Sequence, residues 1–90
     1  MNIQKKIVVI GKVQGVGFRN ATWRKAMELE IRVSVRNLDD GSVEILASAT
    51  EKEFKILKNC CREGPSHARV DRLEIYELDQ TGFADFSIDD

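Results

Sequence analysis

The stretch that most constrains this fold is a glycine-rich loop, Gly11 to Arg19, which follows the most apolar run of the sequence, Ile7 to Ile10. The apolar run predicts a buried strand, and the residues from Asn20 to Glu30 predict a helix. A strand that enters a helix through such a turn directs several backbone N–H groups at one point, and this arrangement binds anions. Gly15 and Gly17 give the turn access to left-handed backbone conformations. The stretch therefore predicts a β–α unit with an anion-binding turn.

The same loop is also compatible with a simple strand-to-helix connection, in which Arg19 is a solvated residue of the first helical turn. Its glycine spacing differs from the dinucleotide fingerprint, and it lacks the Lys–Ser/Thr pair of a P-loop. Arg19 favours the anion site, because its planar guanidinium suits phosphate or carboxylate. The residues alone leave both interpretations open.

Apolar periodicity orders the chain as strand, helix, strand, strand, helix, strand. Strands are predicted at 5–13, 31–37, 43–49 and 68–78, helices at 20–30 and 51–62, and a short final strand at 83–88. Asp40-Gly41 predicts a hairpin turn, and Thr50 with Glu53 predicts a capping box on the second helix. Two crossovers around a hairpin predict a single α+β domain, residues 1–90. Its fold is a ferredoxin-like βαββαβ sandwich, an antiparallel sheet with two helices on one face.

Charge and composition argue against several classes of partner. Fourteen basic and 15 acidic residues give a net charge of −1 without a basic block, so nucleic-acid binding has little electrostatic support. The apolar run Ile7 to Ile10 is too short for a membrane span or a signal peptide. We therefore expect a cytoplasmic protein with no nucleic-acid or membrane partner. The balanced surface charge favours a monomer.

The cysteines and the histidine predict no metal site. Cys60 and Cys61 are adjacent, and neither has a C-x-x-C partner or a histidine at metal spacing. We interpret them as a half-buried and a buried residue of the second helix, in keeping with a reducing compartment. His67 follows Pro65 and is expected on a surface loop.

Asn37 ends the second predicted strand, and the predicted fold brings it near the loop that follows the first strand. An amide both donates and accepts hydrogen bonds, so Asn37 could hold a water molecule beside an anion site. It could equally serve only to begin the turn, as asparagine often does. At this point both interpretations remain open.

Two blocks of the sequence together resemble the acylphosphatase family. They are Gly11-x-Val13-Gln14-Gly15-Val16-x-Phe18-Arg19 and Val35-Arg36-Asn37-x-x-Asp40-Gly41-Ser42-Val43-Glu44, followed by Gly64-Pro65 and Ala68-x-Val70. The resemblance runs from about Val9 to Ile88. It implies the ferredoxin-like fold and the hydrolysis of small-molecule acyl phosphates, which are mixed carboxylic–phosphoric anhydrides, to carboxylate and phosphate. It also implies that no metal or cofactor takes part.

The resemblance further implies a role for each motif residue. Arg19 is the implied phosphate-binding arginine, and Asn37 is the implied residue that orients the attacking water. The backbone groups implied to bind the phosphate are those of Gly11, Val13, Gln14, Gly15, Val16, Gly17 and Phe18. Phosphoryl transfer of this kind depends on positioning and charge stabilisation. The alternative is a weakly active or inactive anion-binding regulatory module on the same fold.

The sequence departs from the family pattern at four positions outside these roles. Glu30 stands where the family usually has a glycine at the end of the first helix, and a non-glycine residue with positive φ costs roughly 1 kcal/mol. Val33, Ser34 and Thr50 also differ from the usual residues. We expect the chemistry to be retained and the stability or the substrate contacts to be altered.

Overall fold

The chain has the β-α-β-β-α-β order that its periodicity predicts, in a computed structural model that describes residues 3–78 and 88–89. The elements are β1 (Ile3–Lys12), α1 (Phe18–Leu29), β2 (Arg32–Asn37), β3 (Val43–Ala49), α2 (Glu51–Glu63), β4 (Arg69–Leu78) and β5 (Ile88–Asp89). Most of the predicted strand at 83–88 lies outside the described residues. Among the described helices, none is long and apolar enough to cross a bilayer.

The sheet places the end of β1 close to the end of β2. Its strand order is β4-β1-β3-β2-β5, so β1 and β3 lie in the interior. Both β1 and β2 run antiparallel to β3, and Val43 of β3 lies opposite both Val9 and Asn37. β1 and β2, which flank β3, therefore run in the same direction. Asn37 consequently reaches the same end of the sheet as the glycine-rich loop.

One face of the sheet and both helices share a single core. Alternate residues of the inner strands are buried, among them Ile7, Val9, Val33, Val35 and Ile45. The helices contribute Phe18, Thr22 and Ala26 from α1 and Phe54, Leu57 and Cys61 from α2. The helices thus cover the same face of the sheet, which confirms the ferredoxin-like prediction.

The first helix begins two residues earlier than its periodicity predicts. Phe18 is its first residue and is 2% exposed. A Cβ on Gly64 would lie 3.3 Å from Phe18 Cε2 and 3.2 Å from the Ala68 Cβ, so the ring packs closely against the backbone after α2. This contact anchors the start of α1. It therefore fixes the backbone N–H groups of the first helical turn.

The second helix begins with the predicted capping box. The Thr50 hydroxyl accepts a hydrogen bond from the Glu53 N–H at 3.2 Å, and the Glu53 carboxylate accepts one from the Thr50 N–H at 2.8 Å. Both cysteines of this helix are free thiols; Cys60 is half-buried and Cys61 is buried, as expected. Burial raises the pKa of the Cys61 thiol to about 12, so this side chain stays protonated.

The first helix ends in a Schellman motif at a residue that is not glycine. Glu30 has φ 58° and ψ 39°, a left-handed conformation. Its N–H donates to the Met27 carbonyl at 3.1 Å, and the Ile31 N–H donates to the Ala26 carbonyl at 3.0 Å. These are the two hydrogen bonds of the motif, which usually has glycine at this position. The strain anticipated at Glu30 is therefore present.

Replacing Glu30 by glycine is expected to raise the free energy of unfolding by roughly 1 kcal/mol, because glycine adopts positive φ without a Cβ clash. For a domain of this size, that gain corresponds to an increase in Tm of about 4–8 °C. Thermal unfolding followed by circular dichroism measures it. Glu30→Ala is the matched control, since it removes the same charge but keeps the Cβ. An equal gain in both variants would assign the effect to charge instead.

Candidate active site

A cavity of 270 Å³ opens at the end of β1, between the glycine-rich loop, the first turn of α1 and the end of β2. Its lining residues are Val13, Gly15, Gly17, Phe18, Arg19, Asn20 and Asn37. Arg19 and Asn37, predicted from separate sequence blocks, are thus brought together at one site. Asn20 also lines the cavity and was not predicted; its place directly after Arg19 in the first helical turn is the signal that could have identified it.

The loop backbone is turned toward the cavity by two left-handed glycines. Gly15 has φ 73° and Gly17 has φ 82°. Apart from each glycine and its two chain neighbours, no described atom lies within 4 Å of a Cβ built on Gly15 or Gly17, so both positions require glycine for its backbone conformation and not for space. Left-handed residues that alternate with ordinary ones make successive N–H groups converge. The loop therefore forms a concave surface of backbone donors.

The start of α1 adds further donors to this surface. The first helical hydrogen bond runs from the Ala21 N–H to the Gly17 carbonyl at 3.0 Å, so the N–H groups of residues 18–20 precede it. The N-cap residue Gly17 has no side chain to cap them, and the first turn contains no acidic residue. By contrast, α2 begins with a capping box and two glutamates. Because no side chain caps the start of α1, its amide dipoles favour a bound anion.

The electrostatic character of the cavity is positive. Arg19 is the one formally charged side chain among the described residues that line it, and no described lining residue is a carboxylate or a histidine. Arg19 is half-buried at the mouth of α1, whereas Asn37 is exposed. A guanidinium next to uncapped amides suits a phosphoryl group or a carboxylate, because it can donate two parallel hydrogen bonds.

The turn after Asn37 is held by its own hydrogen bonds. The Leu38 N–H donates to the Ser42 carbonyl at 2.8 Å, and the Gly41 N–H donates to the Leu38 carbonyl at 3.1 Å. Asp40 accepts from the Ser42 N–H at 2.9 Å, and the Ser42 hydroxyl also donates to it. The hydrogen bonds from Ser42 lower the pKa of the Asp40 carboxyl group. The ionised carboxylate thus stabilises the turn that fixes the end of β2.

Gln14 connects this turn to the glycine-rich loop through its side chain. Its amide Nε2 donates to the Leu38 carbonyl at 2.7 Å and to the Ser42 carbonyl at 2.9 Å. The two segments are 24 and 28 residues apart in sequence at these contacts. Gln14 was predicted only as a backbone donor. Its side chain instead fixes the distance between the loop and Asn37.

Three of the predicted backbone groups do not line the cavity: Gly11, Gln14 and Val16. Gly11 lies at a bulge of β1 with φ 145°, and a Cβ there would overlap the Arg69 carbonyl oxygen of β4. This glycine therefore serves the close approach of two strands. Val16 is half-buried against the hydrophobic core. Within residues 3–78 and 88–89, no group of three or more acidic, cysteine or histidine side chains could hold a metal ion.

Fold and cavity together define a small ferredoxin-like α+β domain with a cavity lined by a glycine-rich loop, the first turn of a helix and one arginine. Comparison with known proteins identifies the family. Residues 5–88 match the family described as Acylphosphatase. The chain is 40% identical over 87 residues to the acylphosphatase of Pasteurella multocida, covering 96% of this chain and 97% of that one. It is 47% identical over 81 residues to that of Marinobacter nauticus, covering 89% and 88% of the two chains.

A solved structure agrees with these sequence matches. An acylphosphatase from Coxiella burnetii superposes with a TM-score of 0.88 at 34% identity, over 98% of this chain and 93% of that one. The chain belongs to the acylphosphatase family. It is a hydrolase of acid anhydrides that converts acyl phosphates to carboxylate and inorganic phosphate. The alternative of an inactive regulatory module is not favoured by these matches.

Proposed function

We propose that the cavity at the end of β1 binds the phosphoryl group of an acyl phosphate and that water held by Asn37 attacks the phosphorus atom. The observation that carries this proposal is the presence of Arg19, Asn37 and the uncapped first turn of α1 around one cavity of 270 Å³. Each of the three supplies something that the reaction requires. We leave Gly11 out of the proposed phosphate site, because it faces β4.

The phosphoryl oxygens are held by two kinds of donor. The backbone N–H groups of Val13, Gly15, Gly17 and Phe18 surround them, with Gly15 and Gly17 providing the left-handed backbone that lets those groups converge. Arg19 supplies the full positive charge that backbone dipoles lack. In phosphoryl transfer the charge is spread over three equatorial oxygens, so fixed donors around them stabilise the transition state.

Asn37 orients the nucleophile. Its side-chain oxygen accepts a hydrogen bond from water, which aims a water lone pair at phosphorus opposite the leaving carboxylate. The fixed geometry makes the attack effectively intramolecular, which is the main source of acceleration for a substrate of this kind. Water attack breaks the bond between phosphorus and the bridging oxygen, and the acyl group leaves as a carboxylate. The proton lost by water passes to a phosphoryl oxygen of the substrate.

The leaving group accounts for the absence of an acid among the described lining residues. A carboxylate is stable as an anion near neutral pH, so it needs no proton to leave. We further propose that the reaction requires neither a metal nor a cofactor, since Arg19 and the amides provide the charge stabilisation. The protein acts as a cytoplasmic monomer of one domain without a nucleic-acid partner. The lack of a nucleic-acid partner is supported by β1 and β3, which carry no aromatic residue for base stacking.

Hydrolysis of benzoyl phosphate in the presence of EDTA tests this function. We expect steady turnover that EDTA does not reduce and that inorganic phosphate inhibits competitively, because phosphate occupies the same donors as the substrate. Loss of turnover in EDTA with recovery on adding Mg²⁺ would contradict metal independence. A folded protein without turnover in any buffer would contradict the function itself.

Replacing Gln14 by methionine is expected to lower kcat by about tenfold, because small displacements of a positioning group reduce the rate steeply. Methionine keeps the length of the side chain but donates no hydrogen bond to the carbonyls of Leu38 and Ser42. Each carbonyl keeps a second donor, so the free energy of unfolding should fall by only about 1 kcal/mol. Inhibition by phosphate should be preserved. A tenfold weaker inhibition at unchanged kcat would instead place Gln14 in phosphate binding.

A further inference from the structure

A second and larger concavity, of 420 Å³, lies where α2 meets β1 and β4. Its floor is apolar. Ile7 and Phe54 belong to the core, and Ile75 lies next to them with 41% of its surface exposed. Single exposed apolar side chains are ordinary on protein surfaces, but this one extends a continuous apolar floor. The groove therefore offers contact area to a nonpolar body.

The helical wall of this groove is strongly basic. Lys52, Lys55 and Lys58 recur every three residues along α2, so they lie near one another on one side of the helix. None of the three forms an ion pair with another residue in the described part of the chain. Like charges at this spacing repel and destabilise a helix slightly. Because the whole chain has a net charge of −1, this basic wall is a local feature.

A fourth lysine closes the groove from the sheet. The Lys5 ammonium lies 5.3 Å from the centroid of the Phe54 ring and 3.9 Å from the Glu51 carboxylate, with 18% of its side chain exposed. The ring and the carboxylate hold this cation in place over the apolar floor. Glu51 forms an ion pair with Lys5, whereas none of the three helical lysines is paired with a carboxylate among the described residues. An anion is therefore drawn to the helical wall.

We propose that this lysine groove, formed by the floor and the four lysines, binds a small amphipathic anion: an aliphatic carboxylate or phosphate monoester. Its apolar chain lies on Ile75 and Phe54, and its head lies among Lys52, Lys55 and Lys58. The volume falls within the roughly 300–1,000 Å³ of small-molecule pockets. A second copy of the chain fits poorly, because a twofold contact would place these lysines against one another.

The lysine groove is separate from the active site. Lys5 lies near the beginning of β1 and the active-site cavity lies beyond its end, so the two sites are roughly 20 Å apart along the strand. No residue lines both. The inference therefore does not depend on the proposed catalytic roles. It gives the protein a second binding site in addition to the acylphosphatase active site.

Backbone amide NMR with octanoate as the probe tests this site. With excess inorganic phosphate present to occupy the active-site cavity, we expect saturable shifts at residues 51–58 and at Ile75. Acetate lacks the chain and octanol lacks the charge, so neither should produce these shifts at the same concentration. Octyl phosphate should bind like octanoate. Binding of octyl phosphate without binding of octanoate would restrict the ligand to phosphate monoesters. Shifts with octanol equal to those with octanoate would overturn the role of the lysines.

Variants separate the two halves of the site. Lys55→Gln with Lys58→Gln should weaken octanoate binding about tenfold, and Ile75→Ser should weaken it several-fold by removing floor area. Arg24→Gln with Arg62→Gln is the control, because both arginines lie outside the groove and the charge change is equal. Equal weakening in the control would overturn the proposal. So would binding to anionic phospholipid vesicles without any shift from octanoate, because that result indicates a membrane surface.

Discussion

Replacing Arg19 by alanine is expected to lower kcat/KM for benzoyl phosphate by roughly a thousandfold, which corresponds to about 4 kcal/mol of transition-state stabilisation. Arg19 is the one formal charge among the described residues of the cavity lining, so nothing else there can replace its interaction with the phosphoryl oxygens. Inhibition by inorganic phosphate should be lost as well. Steady-state kinetics with and without phosphate measure both effects.

Two further variants distinguish charge from geometry at this position. Arg19→Lys keeps the charge but not the planar pair of donors, so it should recover part of the phosphate affinity and little of the rate. Arg24→Ala is the matched control, because this exposed arginine lies on the same helix and does not line the cavity. Unchanged phosphate inhibition in a folded Arg19→Ala protein would contradict the assigned role.

Replacing Asn37 by alanine is expected to reduce kcat by about a hundredfold or more, while phosphate inhibition changes by no more than about twofold. Asn37 contributes an uncharged amide at the end of β2. Its removal therefore misplaces the water without weakening the donors of the glycine-rich loop and α1. Kinetics and phosphate inhibition, measured on the same preparation, separate the two effects. Loss of phosphate affinity with the rate unchanged would reverse the assignment.

Asn20 and Asn59 provide the comparison that this prediction needs. Asn20 lines the same cavity, so it is the described side chain that could replace Asn37 as the ligand of the water. Asn20→Ala should leave kcat within a few-fold of the wild type. Asn59→Ala, an exposed position on α2, should have no effect. A larger rate loss in Asn20→Ala than in Asn37→Ala would move the water-binding role to the helix.

The sequence predicted what local chemistry determines. Strand and helix periodicity predicted the element order, and Thr50 with Glu53 predicted a capping box that the structure contains. The left-handed conformations of Gly15 and Gly17 follow from glycine placed between a strand and a helix. To predict that Arg19 and Asn37 lie close together, the topology was needed as well. Because β1 and β2 run in the same direction, their final residues lie at the same end of the sheet.

Features that depend on distant partners were not predictable in this way. The Arg69 carbonyl of β4 leaves no space for a Cβ at Gly11, and no local pattern indicates this contact. The side chain of Gln14 binds a turn 24 residues away. Phe18 begins α1 because its ring packs on Gly64, a contact that also lies far off in sequence. In each case tertiary contacts, not local propensity, decide the role of the residue.

The most direct test of the central claim is the fate of the water oxygen during hydrolysis. Benzoyl phosphate is hydrolysed by the wild-type protein in EDTA and in water enriched with heavy oxygen, and both products are analysed by mass spectrometry. If water held by Asn37 attacks the phosphoryl group in the cradle of amides and Arg19, the label enters inorganic phosphate and benzoate stays unlabelled. Label in benzoate would mean attack at the acyl carbon and would contradict the proposed geometry.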